Sequence, residues 1–152
     1  MLHFAYGSNM DRDAMRRRCP AAAVVSAARL DGWRFVITRD GYASVVSAPG
    51  SAVHGIVWRL GARDLAALNA YEALDSGLYR RRTLPVCIPS GHVSALVYVG
   101  RERREGRPHP GYQESVVAAA RDVGLPETYV RALERWLPSR THQRAAPAGA
   151  VA

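Results

Sequence analysis

The sequence predicts an α+β fold, in which helices flank a small, mainly antiparallel β-barrel or curled sheet. Most short runs between residues 23 and 99 are rich in valine, isoleucine and aromatic side chains, which favour strands. Glycine, proline and aspartate separate these runs, as they do at turns. Apolar residues at helical spacing dominate only after residue 111, and a chain of 152 residues fits one compact domain.

The first twenty residues predict a strand, a turn and a helix. Leu2 to Tyr6 is a short, largely apolar run bounded by a glycine, which indicates a buried strand. Gly7-Ser8-Asn9 interrupts that run, and Asn9 is expected to cap a helix from about Met10 to Arg18. That helix ends at Cys19-Pro20, because the residue before a proline avoids helical geometry.

The middle of the chain predicts several strands and one helix. Turns are expected at Asp31-Gly32, Asp40-Gly41 and Pro49-Gly50. Strands are expected at Val24-Val25, Trp33 to Ile37, Ala43 to Val46 and Val53 to Trp58, followed by a helix from about Arg63 to Leu74.

Two more strands and two helices are predicted in the second half. The strands are Tyr79 to Ile88 and Val93 to Val99, and the first helix runs from Tyr112 to Val123. Pro126 is expected to open the second helix. After residue 138 the chain is rich in arginine, alanine and proline without periodicity, so the predicted domain is 1–138 and residues 139–152 are a predicted disordered basic tail.

The charge pattern argues against a nucleic-acid partner. The net charge is +8, from 21 basic and 13 acidic side chains, and every basic residue is an arginine. A nucleic-acid interface would call for one basic stripe with interleaved aromatic residues or a known binding motif, and neither is visible. The arginine clusters, including the triplet Arg80 to Arg82, are therefore expected to be mostly solvated, although positive charge attracts anionic substrates.

Composition and spacing predict a cytoplasmic protein that uses no metal and no cofactor. No apolar run approaches the roughly 20 residues needed to span a bilayer, and the first residues do not resemble a signal peptide. Two distant cysteines, Cys19 and Cys87, are expected to be reduced thiols. The histidines lack zinc-ligand spacing, and no phosphate-binding or dinucleotide loop is present.

Three parts of the sequence contain candidate functional residues, and each also has a purely structural interpretation. The Tyr6-Gly7-Ser8-Asn9 turn could bind an anion with backbone N–H groups, although such turns usually serve chain reversal. Glu72 closes an otherwise apolar helix, where burial would raise its pKa, although most glutamates lie exposed on helix surfaces. Tyr79 could orient a ligand or simply pack on its strand.

Several segments together resemble one known family. They are Phe4-Ala5-Tyr6-Gly7-Ser8-Asn9-Met10, Ser47-Ala48-Pro49-Gly50 with Val53 to Trp58, Tyr71-Glu72 with Ser76-Gly77-Leu78-Tyr79, Pro110-Gly111-Tyr112 and Gly124-Leu125-Pro126. In this order and spacing they are similar to the γ-glutamylcyclotransferase family, including its γ-glutamylamine cyclotransferase and plant AIG2-like branches. The resemblance covers roughly residues 2 to 138.

The resemblance implies a small barrel with a pocket at the end of the first strand. It implies that Glu72 is the general acid/base and that Tyr6, Gly7, Ser8 and Asn9 form a backbone cradle, with Tyr79 and Tyr112 near the substrate. The implied reaction cyclises a γ-glutamyl group to 5-oxoproline and releases an amine or amino acid. The loop at Asp40-Gly41 is shorter than in larger members, which leaves the substrate open.

Three other functions compete with this interpretation. One is a γ-glutamyl-removing enzyme of a specialised pathway, as in the deprotection step of butirosin biosynthesis, which would use the same residues. Another is a non-catalytic small-molecule-binding member of the same fold, against which Glu72 argues. The third, a nucleic-acid-binding protein, depends on charge alone.

Overall fold

The computed structural model describes residues 1–139, and its five strands close into a barrel. The strands are β1 (Leu2–Ala5), β2 (Ala23–Ile37), β3 (Ala43–Arg59), β4 (Tyr79–Ile88) and β5 (Gly91–Gly100). Around the barrel their order is β1-β3-β2-β4-β5. Neighbouring strands are antiparallel, except that β1 and β5 are parallel where they close the barrel. The predicted fold class, a mainly antiparallel barrel with flanking helices, is confirmed.

The hairpin of β2 and β3 is longer than the sequence predicts. Asp31-Gly32 and Pro49-Gly50 were expected to separate strands, but both dipeptides lie inside continuous strands. The register of the pair shifts between Asp31 and Trp33, so that residues 48–51 bulge out without a partner on β2. Gly32 and Gly50 have φ angles of 84° and 86°, which glycine adopts readily. The turn residues therefore produce a bulge rather than a chain reversal.

The helices lie near their predicted positions. They are a short 3-10 helix (Ser8–Met10), α1 (Arg12–Arg18), α2 (Ala62–Tyr71), α3 (Tyr112–Asp122) and α4 (Glu127–Glu134). Within residues 1–139 no helix has the length and apolar character needed to cross a membrane. The predicted tail lies outside the described residues, apart from its first residue.

The cap predicted for the first helix was wrong. Asp11, not Asn9, caps α1, because its carboxylate accepts hydrogen bonds from the N–H groups of Asp13 and Ala14 at 3.0 and 3.1 Å. The 3-10 helix inserts three residues, Ser8–Met10, ahead of the Asp11 cap of α1. This insertion leaves the Asn9 side chain free for another partner, described below.

Apolar side chains from every strand fill the core. Fully or almost fully buried examples are Phe4, Leu30, Val53, Val57, Val86, Val97 and Leu68. Trp58 is buried, whereas Trp33 and Trp136 are only partly buried and pack against the core. Helix α3 packs against α4 and the 3-10 helix. The barrel and α3 thus hold the Tyr6–Asn9 turn from two sides.

We expect Gly55→Ala to destabilise the fold strongly. A Cβ atom at this position would lie 2.1 Å from the backbone oxygen of Ala5, the last residue of β1. Strand β1 would have to shift, and overpacking of this kind costs about 1–3 kcal/mol. The measurement is the free energy of unfolding from urea denaturation. Gly61→Ala is the control, because a Cβ there comes no closer than 3.5 Å to any neighbour; equal losses in both variants would contradict the prediction.

Candidate active site

A pocket of about 300 Å³ opens at the end of β1. All seven side chains or backbone segments singled out in the sequence line it: Tyr6, Gly7, Ser8, Asn9, Glu72, Tyr79 and Tyr112. His3, Phe4, Ala5, Ala43 and Tyr98 complete the lining. The structure therefore brings together residues that lie more than a hundred positions apart in the chain, as Tyr6 and Tyr112 do.

The end of α2 determines where Glu72 points. Its N–H still donates to the carbonyl of Leu68 at 2.9 Å, so Glu72 continues the last helical turn. The next residue, Ala73, has a φ angle of 52°, in the left-handed region that helix ends usually fill with glycine. The chain turns away there, and the Glu72 side chain is left facing the pocket.

The Glu72 carboxyl group lines the pocket beside an amide donor. Asn9 Nδ2 donates to Glu72 Oε1 at 2.8 Å. Burial raises the pKa of Glu72 from 4.5 to about 7, although the Asn9 hydrogen bond and the positive charge of Arg18 both act to lower it. A carboxyl group with a pKa near neutrality can both accept and return a proton at physiological pH.

Arg18 fixes the orientation of the Asn9 amide. Arg18 Nη1 donates to Asn9 Oδ1 at 2.7 Å, and Arg18 Nη2 donates to the Tyr71 hydroxyl at 3.0 Å. The guanidinium carbon also lies 3.7 Å from the centroid of the Tyr71 ring. Because arginine can only donate, Asn9 must turn its oxygen toward Arg18 and its NH₂ group toward Glu72.

His3 occupies the other side of the same amide. Its Nδ1 lies 3.1 Å from the carbonyl oxygen of Leu96, and its Nε2 lies 3.4 Å from Asn9 Nδ2. Burial lowers the pKa of His3 to about 4. The ring is therefore neutral at pH 7, with Nδ1 donating to Leu96 and Nε2 accepting from Asn9. The two amide hydrogens of Asn9 then go to Glu72 and His3.

We expect the His3 imidazole to remain neutral far below the ordinary range for histidine. With a pKa of about 4, its ring protons should keep one chemical shift from pH 8 down to about pH 5.5. The measurement is a ¹H–¹⁵N correlation spectrum of the imidazole across that range, which also reports the tautomer. Titration of His3 with a midpoint above pH 6 would contradict this assignment.

The turn after β1 offers backbone N–H groups to the pocket. The amides of Gly7, Ser8 and Asn9 donate no hydrogen bond to any acceptor within the described chain. The indole of Trp58 holds this turn in place by donating to the carbonyl oxygen of Asn9 at 3.0 Å. A Cβ on Gly7 would lie 3.2 Å from the Tyr112 hydroxyl, so glycine keeps the cradle open. Such an arrangement suits a carboxylate or an oxyanion.

Tyrosine hydroxyls connect the pocket to the barrel wall. Tyr79 donates to the carbonyl of Ala43 at 2.5 Å, and Tyr112 accepts from the Ala43 N–H at 3.2 Å. Tyr6 donates to the carbonyl of Tyr98 at 2.5 Å. Burial raises the pKa of each of these tyrosines, so all remain protonated at neutral pH. Tyr6 and Tyr79 therefore anchor the pocket by donating to backbone carbonyl groups, whereas the Tyr112 hydroxyl accepts from the backbone.

Sequence reasoning missed His3 and Arg18. His3 is a single histidine on a strand, a pattern more typical of a core residue than of a site. Arg18 ends a run of three arginines and looked like part of a solvated face. Only the fold places both beside Asn9. Within residues 1–139, no group of three or more histidine, cysteine, aspartate or glutamate side chains could hold a metal ion.

Comparisons with known proteins show the family to which the fold belongs. The family model described as gamma-glutamyl cyclotransferase, AIG2-like, matches residues 3–115. The gamma-glutamylcyclotransferases of Homo sapiens and Mus musculus are 28% and 27% identical over 149 residues, which cover 91% of this chain and 79% of each relative. The solved structure of a gamma-glutamyl cyclotransferase superposes with a TM-score of 0.85 at 26% identity, covering 92% of this chain and 89% of the other. The chain therefore belongs to the gamma-glutamyl cyclotransferase, AIG2-like family, and is an enzyme of the cyclotransferase type.

Proposed function

We propose that the enzyme cyclises a γ-glutamyl group to 5-oxoproline and releases an amine or amino acid, with Glu72 as general acid/base. The observation that carries this proposal is the buried Glu72 carboxyl group, whose pKa of about 7 suits proton exchange at neutral pH. The named relatives are gamma-glutamylcyclotransferases, which supports the same reaction class.

Binding would orient the substrate between two faces of the pocket. The free amides of Gly7, Ser8 and Asn9 would hold the substrate carboxylate or the oxygen of the γ-carbonyl. The Tyr112 hydroxyl lies next to Gly7 and would donate to the same group. Glu72 would then face the α-ammonium group. This placement folds the γ-glutamyl chain so that its own amine approaches the γ-carbon.

A single carboxyl group can serve the proton transfers that this reaction needs. Glu72 takes a proton from the α-ammonium group, and the freed amine attacks the γ-carbonyl carbon to form the five-membered ring. The ring nitrogen gives up its second proton, the bond from that carbon to the leaving nitrogen breaks, and the leaving nitrogen receives both protons, the first of them from Glu72, so that the amine departs as its ammonium ion. No water is consumed, and the atoms balance as 5-oxoproline plus an amine. Well-oriented intramolecular attack can reach effective molarities of about 10⁵ M or more, so positioning supplies much of the rate.

The test is release of 5-oxoproline from a panel of γ-glutamyl dipeptides and γ-glutamyl amines. We expect release from at least one member of the panel, and the preferred leaving group would separate a dipeptide-specific enzyme from one that acts on a tailored amine. No release from any member, together with ligand binding in the pocket, would contradict the proposal and favour a non-catalytic binding protein.

A further inference from the structure

A second cavity, which we call the arginine groove, lies on a different part of the barrel from the pocket. It encloses about 860 Å³ of space open to solvent, within the size range of small-molecule sites. Strands β2 and β4 pair only where Arg29 lies opposite Cys87. The groove lies farther along these strands, and its lining includes Trp33, Arg34, Arg80, Arg82 and Arg103. It shares no lining residue with the pocket around Glu72.

The charge of the arginine groove is largely uncompensated. Among residues 1–139, no acidic side chain lines it. Arg34 pairs with Glu105 at 2.8 Å, whereas Arg80, Arg82 and Arg103 have no ion-pair partner within residues 1–139. Like charges gathered at one concave surface repel one another and raise the local concentration of anions. A ligand with more than one negative charge would neutralise these three unpaired guanidinium groups better than a monovalent anion would.

Arg80 provides the most specific sign of a ligand. Arg80 as a whole is partly buried. Its Nε atom is fully buried and has no hydrogen-bond partner in the described structure. A buried donor without a partner costs free energy, and an anion bound in the groove would supply the missing acceptor. The sequence indicated a mostly solvated triplet, and Arg81 and Arg82 are indeed exposed. Arg80 differs in that its side chain is partly buried and its Nε atom has no access to solvent.

We propose that the arginine groove binds a compact anion of the phosphate class that carries two or more negative charges. Guanidinium groups form paired, charge-assisted hydrogen bonds with phosphate oxygens, and several of them can surround one tetrahedral group. The Arg82 guanidinium carbon lies 5.8 Å from the Trp33 ring centroid, so the indole helps hold this charge at the groove. A monocarboxylate would leave most of the positive charge unpaired.

The experiment is isothermal titration calorimetry of the full chain with pyrophosphate at low ionic strength. We expect Arg80→Gln and Arg103→Gln each to weaken binding about tenfold or more, since each removes a charge-assisted contact. Arg63→Gln, which removes an exposed arginine outside the groove, should bind like the wild type. Glu105→Gln should bind more tightly, because it frees Arg34 from its ion pair.

Two results would overturn the proposal. Equal affinities in wild type, Arg103→Gln and Arg63→Gln would show general attraction to a basic chain rather than a site. Citrate binding as tightly as pyrophosphate would remove the preference for phosphate. Arg103 is exposed, so its substitution should leave folding intact and keep the test valid if Arg80→Gln is unstable. Because binding is measured directly, the result does not depend on the proposed reaction at Glu72.

Discussion

Glu72→Gln is expected to lower the rate of 5-oxoproline release about 10²- to 10⁴-fold, the usual contribution of a general acid/base. Glutamine keeps the shape of the side chain and still accepts the hydrogen bond from Asn9, but it cannot exchange a proton. Substrate binding should change little, so the loss should appear in kcat more than in KM.

The same substitution should stabilise the protein at high pH. A carboxyl group with a pKa of 4.5 when unfolded and about 7 when folded favours folding below pH 4.5, and this contribution is lost as the pH rises to 7. Above pH 7 the ionised carboxylate therefore makes the free energy of unfolding about 3 kcal/mol smaller than it is below pH 4.5. Glutamine has no such ionisation, so Glu72→Gln should gain stability relative to wild type between pH 4.5 and 7.

Urea denaturation at pH 5 and pH 8, beside 5-oxoproline assays, checks both halves of this prediction. Wild type and variant share His3, so the difference between them isolates Glu72. Glu114→Gln is the matched control, because Glu114 is exposed and forms no ion pair within the described residues. Turnover close to wild type would reject the catalytic role, and lost activity with lost stability would indicate a structural glutamate.

Most strands could be predicted because strand-forming residues and the turn residues that bound them are neighbours in the sequence. The run from Tyr79 to Ile88 lies between the turn segments Asp75-Ser76-Gly77 and Pro89-Ser90-Gly91, so its bounds were found without the structure. The Asp31-Gly32 and Pro49-Gly50 bulges were not, because a glycine with positive φ serves a turn or a bulge equally well. Only the pairing partner decides between the two outcomes.

The site was partly predictable for a related reason. Glu72 and the Tyr6–Asn9 turn belong to sequence patterns, so the resemblance led to them. The contacts among them depend on distant residues: Asn9 reaches Glu72 63 positions away, and His3 binds the carbonyl of Leu96 93 positions away. A helical pattern also favoured Asn9 as a cap, although Asp11 fills that role and releases Asn9 for the site. No local rule distinguishes these two uses of asparagine.

Arg18→Gln is expected to lower activity about tenfold or more and to shift its pH dependence. Arg18 helps to lower the pKa of Glu72 and orients the Asn9 amide that binds it. Without the positive charge, the pKa of Glu72 should rise above about 7, and the acidic limb of the kcat/KM profile should move to higher pH. Arg17→Gln is the matched control, because Arg17 is exposed on the same helix.

Arg18→Lys separates the two contributions of Arg18. Lysine keeps the positive charge, so it should return the acidic limb of the pH profile toward its wild-type position. Its single ammonium group cannot reproduce the two directed hydrogen bonds to Asn9 Oδ1 and the Tyr71 hydroxyl, so the plateau rate above that limb should stay reduced. If Arg18 only stabilised the fold, neither the pH of the acidic limb nor the plateau rate would change when equal amounts of folded enzyme are compared. If Arg18→Gln shows the wild-type profile, Arg18 does not act through Glu72, and the orientation of the Asn9 amide must depend on its contacts with Glu72 and His3.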